Sequence, residues 1–325
     1  MVEGKPAVNF LRAMLYLSPT LILLGIFTFY PVFHTFTISF QEGYNYMKGT
    51  FDGWGFGNYE ILFKTTYLKP TLLNTMLIVF VSVPLSLILS LLIAVALNSI
   101  KAFKKILQTI FFLPYVTNTI AIGMVFAVMF ESEQGLVNAF IRMCGGMGIN
   151  WLGSPTRADN PLGLLFKGIE LSILTPEYLT SFVVLLIYIV WNSLPFKILI
   201  LLSSLQGIDK QYYQAAQIDG ASKFKTFMNI TVPFVSPQLV YLTITSFIGA
   251  WKEYSSIDAI FGTGGGRLND PGNMSTVVWR IYQYVGGRQT GTSMGIAAAL
   301  AVLLFVIILL FTALNRYISN KKVHY

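Results

Sequence analysis

Charge is scarce in this sequence: 11% of its 325 residues are Asp, Glu, Lys or Arg, against about 25% in ordinary globular domains. With 54% of the residues hydrophobic, too few charges remain to cover a soluble surface. Cysteine is scarcer still. Cys144 stands alone, so neither an intrachain disulfide nor a cysteine-based metal site can form. The two histidines, His34 and His324, lie too far apart for a His-x-x-x-His zinc motif. Carboxylates are scattered without an obvious pair, which counts against a polytopic membrane enzyme acting on lipid-linked sugar. The Gly-rich run "GTGGGR" at 262–267 lacks the G-x-x-x-x-G-K-[ST] spacing of a phosphate loop. No catalytic residue, metal site, ATP site or other cofactor is therefore assigned to this chain.

Long apolar runs are abundant. Stretches at about 11–33, 72–98, 106–130, 180–203, 234–257 and 295–318 reach the roughly 17 to 25 residues a spanning helix needs. They predict an all-α membrane protein with six transmembrane helices in a single domain over 1–325. The first run has no small-residue cleavage site and reads as a retained span. A net charge of +8 raises the question of nucleic acid, but the basic residues sit at span ends. With the termini inside, the short inner segments hold Lys5, Arg12, Lys101, Lys104, Lys105, Lys210, Lys223, Lys225, Arg316, Lys321 and Lys322. Basic residues on the other side are spread over loops about twice as long, so cytoplasmic termini are favoured.

That orientation places a polar segment, 207–233, in the cytoplasm. Tyr212, Ala215, Ala216 and Asp219 fall at i, i+3, i+4 and i+7, one face of a short helix whose small residues admit another surface. Gly220 suits a left-handed helix end and Ser222 a following cap. Pro233 is read as the break before the fifth span. The residues alone fit two roles equally: a docking hairpin, or an amphipathic connector lying on the bilayer.

The spacing resembles the signature of the membrane subunits of binding-protein-dependent ABC importers, in which Glu-Ala-Ala is followed by Gly and then by Ile-x-Leu-Pro. Gln214, Ala215, Ala216, Gly220, Ile230, Val232 and Pro233 keep every spacing, with Gln214 in place of Glu and Val232 in place of Leu. "GFGNYEILF" at 55–63, "NT" at 74–75, "GLVN" at 135–138, "WLGSP" at 151–155 and "DGA" at 219–221 occur in an order similar to that of maltose-type permeases. The resemblance implies a type I-like permease fold in the cell membrane. It also implies an ATPase-coupling hairpin at Gln214, Ala215, Ala216, Asp219 and Gly220. The partners it implies are a second, non-identical permease, two ATPase subunits carrying ATP and Mg, and an external solute-binding protein delivering an oligosaccharide. An alternative cargo is another polar solute such as a glycerol-phosphate ester.

Polar residues within spans are costly and hence functional candidates. Two clusters qualify as substrate pathway. Trp191, Asn192, Ser193 and Phe196 surround Pro195, and Trp251, Lys252, Glu253 and Tyr254 lie within the fifth apolar run. Aromatic faces suit sugar C–H surfaces, and amides and hydroxyls suit sugar hydroxyls; helix packing is the competing role for the first cluster. Lys252 together with Lys197 would favour an acidic sugar. Asn118 fits either the pathway or the backbone freed near Pro114, and Met124 is a weaker pathway candidate.

Overall fold

The computed structural model describes residues 6–100, 104–152, 176–262, 274–286 and 293–322. The Gly-rich run lies outside them beyond Gly262. The chain divides into two compact units, Met1–Thr65 with Ile281–Val306, and Thr66–Arg280 with Ile307–Tyr325.

The first unit begins with α1 (Pro6–Leu24), a π-helical turn (Gly25–Phe29) and α2 (Tyr30–Ser39). Together they supply one apolar span, Arg12–Ser39. Pro31 follows the wide turn. Proline lacks an N–H and crowds the carbonyl four residues back, and a π turn relieves both problems without ending the helix. Beyond α2, β1 (Gln41–Glu42) pairs antiparallel with β2 (Gly53–Trp54), and α3 (Gly57–Lys64) follows. The "GFGNYEILF" stretch is explained here. Glu42 Oε1 accepts from Gly57 N at 2.7 Å, and a Cβ at Gly55 would strike the same carboxylate. Buried Asn58 donates to the Ser39 and Gln41 carbonyls at 3.1 and 2.9 Å, fastening α3 to the end of α2.

The second unit contains α4 (Leu68–Ser99), α5 (Lys104–Val116), α6 (Thr119–Met129), α7 (Leu136–Met143) and α8 (Pro176–Gln206). The polar segment forms α9 (Lys210–Ile218) and α10 (Lys223–Thr226), and a second π turn (Phe227–Thr231) leads into α11 (Val232–Trp251). After α12 (Ser255–Phe261) come α13 (Val277–Gly286) and α14 (Ser293–Lys322), both of which contribute residues to each unit. Helix α4 packs most extensively on α8. Ser82, Ser86, Ser90 and Ala94 repeat every four residues along α4 and are all buried, so small side chains let the two backbones approach. One apolar core gathers Ile78, Tyr178, Leu185, Tyr188, Ile257 and Trp279. A second gathers Ala94, Leu97, Leu201, Leu205, Val235 and Leu242.

Two span readings change. The run over 106–130 is a broken pair, Ile106–Val116 and Thr119–Met129, bent by 98°. Asn118 causes the break as the N-cap of α6, its Oδ1 accepting from Ile120 N at 2.9 Å and Ala121 N at 3.2 Å. The fifth span runs over Lys223–Trp251 rather than 234–257. Pro233 does not interrupt it, because the π turn precedes that proline as another precedes Pro31.

The "GLVN" and "WLG" fragments meet at one side chain. Asn138 Nδ2 donates to Ser132 O at 2.8 Å and Ile149 O at 2.7 Å. Its Oδ1 accepts from Ile149 N and Trp151 Nε1, both at 3.0 Å. Gly135 is required because a Cβ there would collide with the Glu131 carbonyl. The Glu131 carboxyl is held below its ordinary range by hydrogen bonds from the Gln134 and Glu133 N–H groups. Asn138→Leu keeps the branched shape and removes all four bonds; a stability loss of about 2 kcal/mol or more is expected. Thermal unfolding in detergent measures it, and an unchanged midpoint would show that the amide is not what holds this turn.

Candidate functional site

Helices α4, α8 and α11 and the α5–α6 elbow line an open cavity of about 470 Å³, within the roughly 300–1,000 Å³ typical of small-molecule sites. Side-chain hydroxyls recur among its lining residues, with one amide. Ser82 and Ser86 come from α4, Thr117 and Thr119 from the elbow, Asn192 and Ser193 from α8, and Thr245 and Ser246 from α11. Tyr115 and Phe196 stack on this wall with ring centres 6.0 Å apart and planes 17° from parallel. Two charged residues line the cavity, Lys197 and Glu253. Lys197 is 6% exposed and donates to the hydroxyls of Ser86 and Ser193.

Glu253 sits in a corner rather than on a helix, because α11 ends at Trp251 and α12 starts at Ser255. Its Oε1 accepts from the Ser256 N–H at 3.2 Å and the Ser256 hydroxyl at 2.7 Å, capping the start of α12. Thr276 Oγ1 donates to the Glu253 carbonyl at 2.6 Å and accepts from Trp279 N at 3.2 Å. The segment carrying Thr276 is itself tied to α4. Asn74 Nδ2 donates to Ser275 O at 3.2 Å, and Val277 N donates to Thr75 Oγ1 at 3.0 Å. Tyr178 of α8 completes the group by donating to Asn74 Oδ1 at 2.8 Å. The "NT" pair at 74–75 is thus the anchor of the corner.

Of the sequence-derived pathway residues, Asn192, Ser193, Phe196 and Glu253 line the cavity. The other four lie off its wall. Trp191 leans on Phe126, 5.5 Å between ring centres, and Trp251 is fully buried against Phe311. Lys252 is exposed and Tyr254 packs on the apolar core. Four consecutive residues point in different directions even on a helix, about 100° apart, and the chain also turns after Trp251, so 251–254 do not converge on one wall. Asn118 is the cap described above, and Met124 is exposed away from the cavity. The residues missed include Ser82, Ser86, Tyr115, Thr117, Thr119, Tyr188, Thr245 and Ser246. Hydroxyls recurring within spans were the available signal.

The polar segment is a turn locked by its own backbone. Asp209 caps α9 by accepting from Gln211 N at 2.9 Å. At the other end Ala221 N donates to Ala216 O at 2.9 Å and Gly220 N to Gln217 O at 3.1 Å, with Gly220 at φ +67°. This is a Schellman closure, which glycine adopts without strain. Ser222 then caps α10. Tyr213 reaches Thr231 at 3.2 Å, and Tyr212 packs on Phe234. Ala216 is buried, whereas Gln214, Ala215, Asp219 and Gly220 are exposed beside Ile218 and Phe224, 87% and 74% exposed. The open face is therefore not the one carrying both alanines, because the face with Tyr213 and Ala216 is turned toward the chain itself.

Residues 86–324 match the model of the family described as "Binding-protein-dependent transport system inner membrane component". The chain belongs to this family. It is thus a multi-pass membrane component of a binding-protein-dependent transport system, a permease rather than an enzyme. The inner membrane component is 29% identical over 316 residues to the arabinooligosaccharides transport system permease protein of Bacillus subtilis (strain 168), covering 94% of this chain and 88% of that relative. It is 30% identical over 298 residues to the trehalose/maltose transport system permease protein of Thermococcus litoralis, covering 92% and 90%. Its fold matches a chain from the crystal structure of a bacterial ABC transporter involved in the import of the acidic polysaccharide alginate. There the TM-score is 0.74 at 19% identity, over 97% of this chain and 96% of that one. The all-α arrangement is that of type I importer permeases.

In this inner membrane component, Thr276→Val would leave the Glu253 carbonyl and the first turn of α13 each short of a partner. A stability loss of about 1–2 kcal/mol is expected. Thermal unfolding in detergent reads it, and an unaltered midpoint would mean that the corner is held by apolar packing alone.

Proposed function

We propose that the chain forms half of the translocation pathway of an ATP-driven importer for an oligosaccharide. The observation that carries this reading is the cavity wall, where a stacked aromatic pair stands among side-chain hydroxyls and the Asn192 amide. Flat apolar rings against C–H faces, with hydrogen-bonding groups around them, form a surface complementary to a sugar. The arabinooligosaccharide and trehalose/maltose permeases among its relatives support the same class of cargo. Asn192, Ser193, Phe196 and Glu253 are the pathway residues that the cavity supports.

The hairpin provides the lever. Gln214, Ala215, Asp219 and Gly220 are presented on a rigid turn whose opposite side, at Ala216 and Tyr213, rests on the permease. In this reading an ATPase subunit docks there, and ATP with Mg is bound and hydrolysed on two such partner subunits. A second, non-identical permease supplies the other half of the pathway, and an external solute-binding protein delivers the sugar. Both termini face the cytoplasm, in keeping with the basic residues at the inner span ends. Nucleotide-driven closure of the ATPase pair moves the hairpins and exchanges inward and outward openings of the pathway, a two-state element biased by a ligand. Gln214, standing where the signature it resembles has Glu, couples through neutral hydrogen bonds, or the partner permease's own loop carries the coupling.

Gly220→Arg tests the lever, since a side chain at φ +67° is strained. Affinity purification from the native membrane should recover an ATPase and a second permease with the wild-type chain, and the variant should lose the ATPase while keeping the permease. Sugar uptake by the reconstituted complex should fall with it. Uptake that persists in the variant after the ATPase is lost would overturn the proposal.

A further inference from the structure

The cavity contains one arrangement that a merely polar wall does not require. Ser86 Oγ donates to Val83 O at 3.0 Å, and Ser193 Oγ donates to Val190 O at 2.9 Å. Each hydroxyl has thereby spent its single hydrogen and turns only lone pairs to its other neighbour. That neighbour is Lys197, whose Nζ donates to both, to Ser193 at 3.2 Å and to Ser86 at a shorter distance. An ammonium group has three hydrogens to give. The third has no acceptor among the described residues, although the side chain is 6% exposed and lines the cavity.

The charge is not locally balanced either. Among the described residues the ion pair is Lys64–Glu60 at the surface, so no carboxylate lies within pairing distance of Lys197. Glu253, the other charged residue on the wall, directs Oε1 to Ser256 at the start of α12. A charge held among apolar helices is retained where it meets a partner or a substrate. The two serines orient the ammonium without neutralising it, which leaves a charged donor facing a space large enough for a ligand.

We propose that Lys197 is the anchor for a carboxylate on the transported saccharide, so that the cavity takes an acidic sugar of the uronate type. The proposal rests on the oligosaccharide-permease reading given above. The carboxylate accepts the third ammonium hydrogen and supplies the missing negative charge, while the hydroxyl-rich remainder of the wall meets the ring hydroxyls. Lys252, being exposed, takes no part.

The test compares a galacturonate trisaccharide with maltotriose, a neutral sugar of the same length. Equilibrium binding of each to the assembled membrane complex is measured with the solute-binding protein left out, so that the cavity alone decides. The wild-type complex should prefer the acidic sugar. Lys197→Met should reduce the ratio of acidic to neutral affinity by about 10- to 100-fold, the value of one hydrogen bond to a charged group, and Lys197→Arg should keep most of it. Equal affinities, or a wild-type preference for maltotriose, would overturn the proposal and leave the saccharide reading standing. A Lys197→Met variant that weakens both sugars alike would reduce Lys197 to a bridge between α4 and α8. Binding of neither sugar by the wild-type complex would remove the saccharide reading and this proposal together.

Discussion

Water cannot serve as the partner of last resort among apolar helices, so each polar side chain placed there must be satisfied by another part of the chain. The second unit is organised by that constraint. Asn138 uses both its donors and its acceptor to close the turn between α7 and Trp151. Asn74 and Thr75 tie the 274–277 segment to α4, and through Thr276 they hold the corner at Glu253. Ser86 and Ser193 bond their own helices first and Lys197 second. Such bonds cost little to form locally and much to break, because a buried group left alone has no substitute.

The same constraint separates structure from function along a single helix. On α8, Tyr178 is committed to Asn74 and belongs to the scaffold, whereas Tyr188 donates to the Thr119 carbonyl and also lines the cavity. Asn192 faces the cavity one turn past Tyr188 and Phe196 two turns past it, and Lys197 follows. The helix therefore changes task along its length. It fastens the corner near its start, lines the cavity from Tyr188 to Lys197, and joins the apolar core from Ile198 to Leu205.

Much of this was legible from the sequence. Apolar run length located the spans, and the spacing from Gln214 through Gly220 to Pro233 located the hairpin with its glycine turn. The break between α5 and α6 was hidden because apolar composition continues across it; only Asn118, readable as a cap, marked the place. The end of α11 was hidden for a related reason, since Trp251 and Tyr254 look alike to hydropathy but one ends a helix and the other lies beyond it. Which face of α9 is open depended on Tyr213 and Thr231, residues eighteen positions apart whose contact no short-range pattern reveals. Cavity hydroxyls such as Ser82 and Thr245 were visible but resembled ordinary helix packing, and only their convergence distinguished them.

The wide turn at Phe227–Thr231 has a geometric consequence. A π turn accommodates one residue more than the α-helix it interrupts, and one residue is about 100° of rotation. The helical face presented by α10 and the face that α11 turns toward the cavity are consequently out of phase by that angle. Without the extra residue the two surfaces would face one helical step closer in azimuth. With it they remain on one continuous helix at a set offset, so a rotation of the hairpin end is carried to the cavity wall at that fixed angle.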